Sequence, residues 1–367
     1  MRLLLMLAHS IEEYDQVRLL TELGHDVFSI GAYIDPSNPL DDMRPALPDA
    51  AHHPELKAVI DAQPVTDDKP DRLWNAKDEL PQEVIDWADV IICHHVESRW
   101  LWPQWKRIRH KRVIWRTVGQ SLHVNEWEAQ PFVKDGCEVV RYSPKERGIP
   151  NYAGESALIR FYKDEDEYKG WNGTQSRVLA IHQNPLTRGD GGSWVNLAWL
   201  REATDGLPVR WVGPGTEPLG GTGKISPKAL RDEMCEARAA IYTGTQPASY
   251  TLALIEQMMT GLPVVSIGPS HMKVAPYGSA LYEGHAIAPL FSDRAVEARS
   301  MLVEMLNNLD AARPIAQVSR QRALALFSKD RALKAWEGWL MDKTPPDSDP
   351  EELADVSEAL STWPAKI

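Results

Sequence analysis

Apolar and polar positions follow two rhythms along this chain. Short, nearly unbroken apolar runs fall at residues 2–8, 25–30, 88–93, 112–115, 138–142, 178–181, 209–212, 239–242 and 264–267. Their length and β-branched content predict strands covered on both faces, as in parallel sheets. Between them, apolar residues recur every three or four positions, which predicts helices over 11–23, 194–201, 228–237, 251–260, 294–308 and 314–327. A further helix over 331–341 places Leu333, Trp336, Trp339 and Leu340 on one face. Strand and helix alternate throughout, the pattern of an α/β protein with parallel sheets. A chain of 367 residues with 43% hydrophobic content most naturally forms two domains. The charged stretch RFYKDEDEYKGWNG at 160–173 reads as their connection, giving domains at 1–165 and 175–330. The helix at 331–343 follows, with an apolar face suited to packing on another part of the protein, and 344–367 is a linker with an acidic tail.

The strongest chemical signal is QPASYTLALIEQMMTGLPVVSIGPS at 246–270. Pro247 and Ser249 supply a turn and a cap, Gly261 closes the helix, and Pro263 prevents its continuation. A loop entering a helix offers free backbone N–H groups and a positive dipole end, a seat for phosphate. One turn on, Glu256 is placed to accept hydrogen bonds from sugar hydroxyls. By itself the stretch reads first as an ordinary helix-to-strand unit with a solvated glutamate.

It resembles the donor-binding signature of retaining glycosyltransferases of the GT-B family, the glycogen-synthase-like group. The resemblance places Glu256, Gly261, Pro263, Val264 and Val265 on that signature. Ala248 stands where the family has its first glutamate, and Thr251 where it has the glycine that meets the diphosphate. It implies two Rossmann-like domains facing a central cleft, with the C-terminal helix crossing back to the first. It also implies that Glu256 holds the nucleotide ribose while the backbone of Ser249, Tyr250, Thr251 and Leu252 meets the phosphate. HQNPLTRG at 182–189 matches the family's cationic loop, with Arg188 and Gly189 on its last two positions and Gln183 in place of an arginine. A cation suits a leaving diphosphate that gains negative charge, and arginine can grip two phosphate oxygens. Gly213 opens the next glycine loop, and Lys224 and Ile225 correspond to the stretch that lies against the nucleotide base.

In the first half, strand ends carry the polar candidates, because ligands bind at the carboxyl ends of parallel strands. Gln120, His123 and His94 are the catalytic candidates; His9, Ser10 and His95 belong to the acceptor side. No G-x-G-x-x-G is present, which argues against an ordinary dinucleotide fold.

The net charge of −12 excludes wholesale coating of nucleic acid. Against that background RWLWPQWKRIRHKRVIWR at 99–116 holds seven Lys or Arg and no acid. It reads as a site for an anionic acceptor, as a contact with an anionic membrane surface carrying a lipid-linked acceptor, or as buried tryptophans beside a solvated cationic face. Three dispersed cysteines form no metal or disulfide pattern, and no run of about 18 apolar residues suggests a membrane span. The resulting expectation is a cytoplasmic, metal-independent glycosyltransferase without a cofactor. It would move a sugar from a nucleoside-diphosphate sugar to a hydroxyl of a glycan, a lipid-linked sugar or DNA. The alternatives are a transferase acting on a hydroxylated DNA base, a non-catalytic nucleotide-sugar-binding relative, and an epimerase or phosphorylase on the same fold.

Overall fold

The computed structural model describes residues 1–6, 10–30, 53–62, 80–94, 98–119, 121–191, 194–361 and 363. The chain divides into two compact units. One comprises Met1–Phe161 with Ala332–Asp347, the other Tyr162–Arg331 with Ser348–Ile367.

In the first unit the apolar runs become the strands β1 (Arg2–Met6), β2 (Asp26–Ile30), β3 (Val90–His94), β4 (Arg112–Arg116), β5 (Glu138–Arg141) and β6 (Ala157–Leu158). They form one sheet in the order β2-β1-β3-β4-β5-β6, every pairing parallel. Leu3, Leu4 and Leu5 of β1 are fully buried, as a strand covered on both faces requires. The helices of this unit are α1 (Ser10–Glu22), α2 (Pro54–Asp61), α3 (Gln82–Trp87), α4 (Ser98–Ile108) and α5 (His123–Lys134).

The second unit repeats the plan with β7 (Gln175–Ile181), β8 (Val209–Val212), β9 (Ala237–Tyr242), β10 (Val264–Ile267) and β11 (Leu290–Ser292). Its sheet runs β11-β10-β9-β7-β8, again all parallel. Around it lie α6 (Leu197–Ala203), α7 (Pro227–Glu236), α8 (Leu252–Thr260), the short α9 (Gly278–Leu281) and α10 (Gly284–Ile287), α11 (Ala295–Asn307) and α12 (Leu309–Phe327). Helix α13 (Lys329–Asp342) carries the chain back, and its residues from Ala332 onward belong to the first unit. There Trp336, Trp339 and Leu340 are buried, and Arg112 donates to the carbonyls of Trp339 and Leu340 at 2.9 and 2.7 Å. Those carbonyls end a helix, so a cation that meets them also opposes the negative pole of its dipole.

Residues 348–361 and 363 belong to the second unit. Arg322 donates to the carbonyl of Ala354 at 2.7 Å, and α14 (Ser357–Leu360) follows. Among the described residues no helix is long and apolar enough to cross a membrane. No group of three His, Cys, Asp or Glu among them could hold a metal ion.

Candidate functional site

Counted from its own first strand, the second sheet has the order 2-1-3-4-5, which reverses direction between β7 and β9. In doubly wound sheets the ligand crevice opens outside the strand ends at such a switch point. Two loops leave there, one from β7 toward Arg188 and one from β9 toward α8. The backbone knits them together. Trp194 donates its N–H to the carbonyl of Arg188 at 2.9 Å, and Gln246 donates to the carbonyl of Trp194 at 2.8 Å. Arg188 is thus two hydrogen bonds from the loop that enters α8.

That loop is rigidly held. Gln246 Oε1 accepts from the backbone of Lys273 and Val274 at 2.6 and 3.1 Å, and the Ser249 carbonyl accepts from Glu283 and Gly284. Ser249 and Tyr250 are fully buried. The N–H of Thr251 donates to the hydroxyl of Tyr242 at 3.0 Å and is already spoken for. Leu252 and Ala253, the first two residues of α8, are partly exposed, and their N–H groups meet no acceptor among the described residues. Of the backbone donors expected at this helix start, that of Thr251 is therefore engaged within the protein, and those of Leu252 and Ala253 are open.

Arg188 is half-buried and has no carboxylate partner among the described residues. Burial pulls its pKa down, because the charged guanidinium loses hydration.

The glycines of this edge are dictated by close approach. An alanine Cβ at Gly189 would come within 2.7 Å of Leu197 Cβ. Gly213 has φ 121° and would drive a Cβ onto the carbonyl of His182. His182 itself is 8% exposed, its Nε2 has no hydrogen-bond partner among the described residues, and burial lowers its pKa to about 4. The loops after β7 and β8 are joined by the bond from Asn184 N–H to the Pro214 carbonyl at 2.7 Å. Gly213 also donates to Gly223 at 2.9 Å, which brings the partly buried Lys224 and Ile225 to the same edge.

Glu256, expected to face a ligand, is 5% exposed. Its Oε1 lies 2.7 Å from Nζ of Lys163 and accepts from the hydroxyl of Tyr168 at 3.2 Å. Neither partner stands out in sequence, where both lie in the charged connection that reads as solvated linker.

In the first unit the sheet reverses between β1 and β3. His94 ends β3 and is buried, with Nε2 3.2 Å from Oε2 of the buried Glu12 of α1. The two are at ion-pair distance without the angle of a hydrogen bond. Next to Glu12, Glu13 accepts from Ser29 at 2.5 Å. Glu12 escaped the sequence reading because an acid in the first turn of a helix ordinarily marks only its N-terminus. His123 opens α5 and is exposed. Ser10 opens α1; Gln120, His9 and His95 lie outside the described residues.

The basic segment is largely consumed inside the unit. Arg109 pairs with Asp135 and Arg112 with Glu138, at 3.3 and 2.9 Å. Lys111 donates to the carbonyls of Asp86 and Ala88 at the end of α3, and Arg107 donates to Gln82. Arg116 is buried, with its guanidinium 4.8 Å from the Phe161 ring centroid. Most of these cations answer local carboxylates and carbonyls, and the reading as an anionic-acceptor surface loses its support.

No protein-family model matches the sequence, and no curated protein matches it. Solved structures match the fold over most of the chain. Sucrose-phosphate synthase from Thermosynechococcus elongatus is 15% identical, with a TM-score of 0.60 over 92% of this chain and 98% of that one. HepE from Anabaena, solved in complex with UDP-glucose, is 13% identical with a TM-score of 0.61 over 93% and 99%. A glycosyltransferase from Rickettsia africae is 12% identical with a TM-score of 0.62 over 93% and 99%. The likeness is one of fold, and that fold is GT-B, as the motif resemblance implied.

Proposed function

We propose that the chain is a glycosyltransferase that binds a nucleoside-diphosphate sugar on its second unit and transfers the sugar to an acceptor hydroxyl. The observation that carries this reading is Arg188, half-buried without a carboxylate partner among the described residues and hydrogen-bonded through Trp194 to the loop entering α8. In this reading the diphosphate lies between the Arg188 guanidinium and the N–H groups of Leu252 and Ala253. Fixed donors at that place stabilise the charge that grows on the diphosphate as the glycosidic bond breaks. Glu256 takes the ribose, and the edge formed by Gly213, Lys224 and Ile225 takes the base. Retention of anomeric configuration and a hexosyl donor follow the motif resemblance, in which Ala248 replaces the first glutamate. Uridine diphosphate is the first nucleotide to try, since HepE of the same fold was solved with UDP-glucose.

The test is release of UDP from a panel of UDP-sugars with and without candidate glycan acceptors. Transfer is expected in the wild type, with Arg188→Ala lowering turnover by about a hundredfold. Wild-type UDP release that is insensitive to Arg188→Ala would contradict the assignment. Nucleotide binding without turnover of any donor would instead favour a non-catalytic relative, for which the replacement at Ala248 gives a motive.

A further inference from the structure

The segment that begins the second unit is tied firmly onto α8 and α12. Lys163 donates its N–H to the carbonyl of Phe327 at 3.1 Å, and Trp171 donates to that of Thr260 at 3.3 Å. Arg320 of α12 donates to the carbonyls of Tyr168, at 2.7 Å, and Glu165, at 3.2 Å, and also to that of Met259. Lys329 pairs with Asp164 at 3.2 Å. So anchored, the segment delivers a fully buried ammonium and a phenol hydroxyl to one oxygen of Glu256. The Tyr168 ring lies 5.6 Å from the Lys163 ammonium and 5.9 Å from the guanidinium of Arg231 of α7.

A buried ion pair is a poor device for stability alone, because the desolvation of two charges offsets their attraction and an apolar pair of similar volume often does as well. It does fix geometry. Two donors on Oε1 set the plane of the carboxylate and keep it ionised in a place that is almost dry. A ribose diol needs both: a charged acceptor, and one whose direction is set before the ligand arrives. We propose that Lys163 is a positioning residue that holds Glu256 charged and oriented toward the nucleotide ribose, with Tyr168 as its second support. This rests on the nucleotide-site reading above and adds to it the origin of ribose selectivity.

The experiment compares UDP with 2′,3′-dideoxy-UDP by titration calorimetry on the full-length wild type, Lys163→Met and Tyr168→Phe. Hydrogen bonds to a charged acceptor predict that the wild type prefers UDP by about tenfold or more. Lys163→Met should keep its affinity for the dideoxy nucleotide and lose the preference to within about twofold, and Tyr168→Phe should lose part of it. Lys163→Arg, which retains the cation, should recover part of the preference. A wild-type preference persisting in Lys163→Met overturns the proposal. So does an equal loss of affinity for both nucleotides, which would make Lys163 a support of the fold. Should Lys163→Met fail to fold, an unchanged preference in Tyr168→Phe overturns the proposal in its place. A wild type that binds both nucleotides equally removes the ribose role of Glu256 and leaves the diphosphate site standing, whereas binding of neither overturns the nucleotide site itself.

Discussion

His182 shows how burial alone sets the chemistry of a residue. It follows β7 at the strand edge where the Gly213 backbone presses on its carbonyl, and burial depresses its pKa from 6.5 to about 4. The unfolded chain takes up a proton on this ring near pH 6.5, whereas the folded protein refuses it until about pH 4. The contribution to stability is whole above that window and is lost as the pH falls through it, by roughly 1.4 kcal/mol per pH unit. Denaturant unfolding of His182→Gln should therefore show a flatter acid-side decline than the wild type, and identical slopes would contradict the assignment. Legibility varies sharply at this scale. Arg188 and Glu256 were readable because their spacing from glycines and prolines matches a signature. Lys163, Tyr168 and Glu12 were not, since each acquires its role from a partner distant in sequence, as Glu256 is from Lys163.

Among the elements, the strands were the most legible, because a strand covered on both faces must be apolar without interruption. Boundaries moved by a residue or two in β3 at Val90–His94 and α8 at Leu252–Thr260, and further in α6, β7 and α12, the last beginning at Leu309 rather than 314. The short β6 and β11 and the helices α3, α5, α9 and α10 were missed; so few residues carry no clear period, and the longer α5 includes an internal Pro131. Segment 99–116 presented its charges plainly, yet their partners lie outside it, Gln82, Asp86 and Ala88 before it and Asp135 and Glu138 after it. Tyr242 at the end of β9 has the reverse history: an apolar strand residue by pattern, it uses its hydroxyl to accept the N–H of Thr251 where α8 begins. Removing that hydroxyl in Tyr242→Phe should cost about 1 kcal/mol of stability by chemical denaturation. It also frees one N–H at the proposed phosphate seat, so affinity for UDP should hold or rise. A fall in affinity would give the Tyr242 hydroxyl a direct part in binding.

For the molecule as a whole, the alternation of strand and helix announces two parallel sheets, and the orders found, each with a single reversal, locate the strand edges where ligands bind. The connection at 160–173 could be seen as a connection; that part of it forms a buried support for Glu256 could not, because charge density there resembles a solvated face. A buried ion pair also dictates how the site is probed. Glu256→Ala would strand the Lys163 ammonium at a cost of about 3–5 kcal/mol, so Glu256→Gln is the cleaner substitution. The central claim is a diphosphate site built by Arg188 and the start of α8. Its most direct test is titration calorimetry of UDP against the wild type and Arg188→Ala at fixed ionic strength. Saturable binding by the wild type, weakened at least about tenfold in Arg188→Ala, is the predicted result. Equal affinity in the two proteins, or no binding of UDP or any other nucleoside diphosphate by the wild type, would contradict it.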